Sequence, residues 1–145
     1  MAHSPIPNIH VWSLGKQYVE AAEVLLDTNR LLQAAVLSAL ALEIFLKSFL
    51  ATNNDRGRSI TKLGHDLPDL LKLFPANDKD DLLSTFQEID PKTDLPDALL
   101  KFNDVFTKAR YFYEPGSPFS VSSEVIYFAR DLCSAVFEVA RKRGA

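Results

Sequence analysis

The chain has 145 residues, of which 47% are apolar and 24% charged, with a formal net charge of −3. That length fits one domain with a buried core, and that apolar share argues against wholesale disorder. The acidic balance argues against a generic nucleic-acid binder while leaving room for a local basic patch.

A single cysteine, Cys133, leaves no internal disulfide. It falls within an apolar helical pattern and reads as a small buried hydrophobe, not a nucleophile. The opening Met-Ala-His-Ser-Pro-Ile-Pro has no basic stretch followed by a hydrophobic one. No secretory signal is read there, and a cytoplasmic location is expected.

Residues 1–12 hold two prolines and read as an irregular N-terminal lead; residues 13–145 read as a single helical domain. Ser13 can cap a first helix whose apolar positions Leu14, Tyr18, Ala21, Ala22 and Leu25 keep a helical period. A turn at Asp27-Thr28-Asn29 leads into the run Leu31 to Ala51, which is apolar on every face except for Glu43 and Lys47, four residues apart. A helix of that kind is surrounded by other helices or by lipid. The run has about the length to span a bilayer. Each charge near a span's centre costs roughly 2.5–3.5 kcal/mol, however, and Gln33, Ser38 and Ser48 add polarity. The reading is a central core helix in a soluble protein, ending near Thr52-Asn53-Asn54. A polar loop over residues 53–64 follows, carrying Arg56 and Arg58.

Two later stretches begin alike, Asp66-Leu-Pro-Asp69 and Asp94-Leu-Pro-Asp97. In each, the first Asp suits an N-cap, the second adds negative charge at N3, and Pro in the first turn loses no intrahelical hydrogen bond. Between them a short helix spans Asn77 to about Gln87, with Leu82, Leu83 and Phe86 inward, until Asp90-Pro91 breaks it. The next helix runs from Leu95 to about Tyr113 with the inner stripe Leu95, Ala98, Leu99, Phe102, Phe106, Ala109 and Tyr113, and Pro115-Gly-Ser-Pro118 ends it. Ser120 or Ser122 starts a last helix whose inner face is Ile126, Ala129, Cys133, Val136 and Ala140. Arg141, Lys142 and Arg143 complement its C-terminal dipole without any need for nucleic acid. No segment alternates, so no sheet is expected.

Asn103, Thr107, Arg110 and Glu114 recur at spacings of 4, 3 and 4 and form a polar stripe beside the inner one. Arg110-Tyr-Phe-Tyr-Glu114 is dense in groups that bind anions or stack on bases, and Tyr111 projects away from the core. This end of the helix is the candidate binding or interface region: Arg110, Tyr111, Glu114 and Thr107. The alternative is structural, with Arg110 pairing Glu43 and Glu114 pairing Lys47 so that the central helix is neutralised. His65, just before a helix start, reads either as a locally packed ring or as a proton-transfer group. Three scattered histidines give no metal-ligand spacing, and no phosphate-binding loop or nucleophile elbow is present. No metal and no cofactor are expected.

Three blocks, Ala34 to Lys47 with Ala-Leu-Glu-Ile-Phe-Leu-Lys, Gly64-His-Asp-Leu67, and Phe106 to Glu114 with Arg-Tyr-Phe-Tyr-Glu, together resemble the HEPN domain family over residues 13–140. The resemblance implies an all-α, up-down bundle of four to five helices, often dimeric. It further implies a possible nucleotidyltransferase-like partner protein and a setting in prokaryotic defence or toxin–antitoxin type systems. Many family members are metal-independent ribonucleases that use an R-x4-6-H motif. The arginine that matches is Arg110, and no histidine follows it. Arg58 and His65 fit R-x6-H literally, but in the loop before the third helix, where the family does not place that motif. The resemblance therefore implies a non-enzymatic module that binds RNA, a nucleotide or a protein partner. The competing expectation is a metal-independent ribonuclease using Arg110 and His65.

Overall fold

The computed structural model describes residues 5–51, 63–109 and 121–144. Among the described residues every regular element is a helix: α1 (Ile9–Asp27), α2 (Leu31–Leu50), α3 (Leu67–Lys72), α4 (Ala76–Ile89), α5 (Leu95–Phe102), α6 (Val105–Ala109) and α7 (Glu124–Lys142). The protein is an all-helical bundle.

α1 starts earlier than Ser13. Asn8 caps it, its side chain accepting from the Val11 amide at 3.1 Å, while the Asn8 amide donates to the Ser48 carbonyl at 2.7 Å. The lead is thus shorter than expected, because an asparagine anchored on the end of α2 outcompetes a serine that nothing orients. α1 ends at the expected turn. Asn29 takes a left-handed conformation (φ 63°), and the Asn29 and Arg30 amides donate back to the Leu26 and Leu25 carbonyls. The chain then reverses into α2.

α2 is long and apolar enough to cross a membrane by length and composition. In the bundle, however, it packs against α1, α3, α6 and α7. Its Leu42, Phe45 and Leu46 are completely excluded from water, joined there by Leu70, Leu82, Phe86, Leu99, Ile126, Leu132 and Val136. Gly15 lets α1 come close: a Cβ there would lie 2.6 Å from Cε1 of Phe45. Phe128 stacks near both Phe86 and Phe102, with ring centroids 5.5 Å away in each case.

Both Asp-Leu-Pro-Asp starts behave as expected. Asp66 accepts from the Asp69 amide at 3.0 Å and Asp94 from the Asp97 amide at 3.2 Å. The helix expected from Leu95 to Tyr113 is instead interrupted. α5 stops at Phe102, a turn occupies Asn103-Asp104, and α6 resumes at Val105. The turn rotates the inner stripe, so Val105 packs on the core while Phe106 is 44% exposed. The last helix keeps the expected inner face, with Cys133 packed at its edge.

Candidate functional site

Glu43 projects from the face of α2 that looks toward α3 and α6. Its carboxylate is largely buried and both oxygens are engaged: Oε2 accepts from Lys47 Nζ at 3.0 Å, and Oε1 lies 2.9 Å from His65 Nδ1. Lys47 is itself buried, so the pair neutralises the charge that the central helix carries into the core. Because an ionised carboxylate only accepts, the ring nitrogen facing it carries the proton. His65 does not pack locally. Its side chain is 84% exposed and, among the described residues, is held at Nδ1 by Glu43.

The segment bearing His65 is fixed from below. Gly64, just before His65, adopts φ 81°, a conformation that a side chain disfavours. Asn103, from the α5–α6 turn, accepts from the Leu67 amide at 2.8 Å and donates to the Asp66 carboxylate at 3.0 Å. One asparagine therefore satisfies a free amide of α3 and orients its cap. The bridge is made at the interruption after α5 by the side chain alone, the Asn103 backbone keeping helical dihedrals (φ −58°, ψ −33°).

Glu43, His65, Asn103, Phe106 and Thr107 border one small cleft of about 30 Å³. That is room for a water or a hydroxyl group. The expected site residues are thus partly brought together: Glu43, Lys47, His65 and Thr107 share one face. Arg110, Tyr111 and Glu114, with the expected Arg110–Glu43 and Glu114–Lys47 pairs, lie outside the described residues, as does Arg58. Among the described residues Glu43 is partnered by Lys47 and His65. Sequence reasoning placed Phe106 in the core and missed its place beside His65. The signal was the Asn103-Asp104 pair, two poor helix formers in mid-helix.

A larger cleft of about 490 Å³ lies where α5 meets α7. Asp90, Asp94, Asp97, Glu124 and Asp131 border it, with Lys101 paired to Glu124. Burial, then the neighbouring charge of Asp90, raises the Asp131 carboxyl above its ordinary value. Lys92 borders it too, and five carboxylates against two lysines leave the cleft acidic overall. The Cys133 thiol is pushed up to about 11, chiefly by burial, which keeps it protonated and poorly nucleophilic at neutral pH. Among the described residues no group of three His, Cys, Asp or Glu side chains is placed to hold a metal ion.

No family model, curated protein or solved structure matches the chain.

Proposed function

We propose that the protein is a non-enzymatic, HEPN-like helical binding module that contacts RNA or a nucleotide through the face shared by α2, α3 and α6. The observation that carries this reading is the Glu43–His65 hydrogen bond at the rim of a cleft of only about 30 Å³. Pockets that engulf a small ligand run to about 300–1,000 Å³. A site this shallow, with an oriented and exposed polar ring, suits contact with an extended ligand. Arg110, Tyr111 and Glu114 follow α6 directly in the chain, and the resemblance assigns them to the same region. The same reading makes the module a homodimer in a prokaryotic defence or toxin–antitoxin type system, with a nucleotidyltransferase-like protein as the alternative partner.

A second reading, a metal-independent ribonuclease using Arg110 and His65, is favoured by one feature. A carboxylate orients the exposed imidazole, as a general base requires. Incubating the purified protein with mixed RNA in EDTA separates the two. Binding that weakens in Arg110→Ala, with the RNA intact, supports the module. Cleavage abolished by the same substitution replaces it with the nuclease. No association with RNA or mononucleotides overturns both.

A further inference from the structure

We propose that His65 and Phe106 read a ribonucleotide unit together, a base stacking on the Phe106 ring while the sugar 2′-hydroxyl donates to His65 Nε2. The inference rests on the RNA-binding reading above and goes further, to the ligand's chemistry and to selectivity for ribose.

Its first support is the direction of the hydrogen bond at Nδ1. In its neutral form, with the proton on the Nδ1 that faces Glu43 at 2.9 Å, the ring keeps a bare lone pair at Nε2 and acts outward as an acceptor. Lys47 already neutralises the other carboxylate oxygen at 3.0 Å. Phosphate diester oxygens offer no proton to such a nitrogen, and deoxyribose offers no 2′-hydroxyl. Ribose does, and the 2′-hydroxyl is the group by which proteins tell RNA from DNA at a given position.

The second support is independent. Phe106 is 44% exposed on a helix whose pattern would have buried it, and it borders the same cleft as His65 and Thr107. An exposed aromatic ring offers an unstacked base of single-stranded RNA the flat apolar face on which it stacks. The recess of about 30 Å³ takes the hydroxyl and leaves the base outside, on the ring. Rupture of α5 at Asn103 is what turns Phe106 outward.

The test is fluorescence anisotropy at low salt with labelled single-stranded RNA and DNA of one sequence. Wild type is expected to bind RNA about three- to ten-fold more tightly than DNA, the contribution of one good hydrogen bond. His65→Asn keeps a donor to Glu43 but has nothing at the Nε2 position. It is expected to melt like wild type and to lose the RNA preference. Phe106→Leu is expected to weaken RNA and DNA alike, by about five-fold or more. Equal wild-type affinity for RNA and DNA overturns the inference and leaves nucleic-acid binding standing. A preference that survives in His65→Asn, or Phe106→Leu binding like wild type, also overturns it. Binding to neither polymer overturns the inference and the reading beneath it together.

Discussion

Glu43 is where local and tertiary demands on one residue meet. Glu preceding Lys by four positions is the favourable order on a helix, and here the pair lies inside the bundle, with side chains 16% and 10% exposed. Removing the carboxylate strands the Lys47 ammonium in an apolar wall and frees His65. Glu43→Ala is expected to cost about 3 kcal/mol, the low end for breaking a buried pair from one side, measured by urea denaturation. A melting curve within a degree of wild type would sink this account. The sequence made Glu43 and Lys47 legible as charges needing a reason. It did not point to each other as their partners, because charges in an apolar helix invite a search for distant ones. The His65 contact was hidden for a plainer reason: twenty-two residues separate it from Glu43, and only the fold brings them together.

Elements were legible where capping chemistry is local and blurred where a tertiary bond competes with it. Both Asp-Leu-Pro-Asp starts sit as their side chains dictate, since cap and capped amide are three residues apart. Asn8 displaced Ser13 as the first cap, its amide also bonding to the end of α2, and the Asn103 side chain, at the end of α5, bonds to the start of α3. The close crossing of α1 and α2 belongs to this scale. Gly15 sits where any Cβ would meet the buried Phe45 ring at 2.6 Å. Gly15→Ala gains about 1 kcal/mol of helix propensity. Against that stands an overpacking cost of typically 1–3 kcal/mol, because Phe45 is completely enclosed and cannot swing aside. The expected outcome is a net loss of up to about 2 kcal/mol in the denaturation free energy. A stabilised variant would show that α1 can shift away from α2 at little cost.

Across the whole molecule, α2 is the hub and Arg143 is the clasp that joins the two ends of the described chain. Arg141-Lys142-Arg143 read in sequence as a dipole complement. Arg141 does pair within its own helix, with Glu138 at 2.9 Å, but Arg143 does more. Its guanidinium donates to Asp78 at 2.6 Å, to Asp81 at 2.6 Å and to the Pro5 carbonyl at 2.8 Å. Burial alone would lower the Arg143 pKa, yet the hydrogen bonds and charges of Asp81 and Asp78 hold it above its ordinary value. The end of α7, the first turns of α4 and the segment before α1 thereby share one cation. Such a role cannot be read from a basic C-terminal run, because the matching carboxylates are more than sixty residues away. Arg143→Ala leaves Asp78, 3% exposed, without its cation, and is expected to cost about 3–5 kcal/mol of global stability. Arg143→Lys should recover only part of that, since one ammonium cannot span both carboxylates as the planar fork does. The clasp also separates from the surface pairs by salt. Half-molar sodium chloride screens exposed pairs such as Arg141–Glu138 and leaves a buried contact nearly unchanged. The loss in Arg143→Ala should therefore persist at high salt in urea denaturation, and a loss that vanished there would reduce Arg143 to one more surface charge.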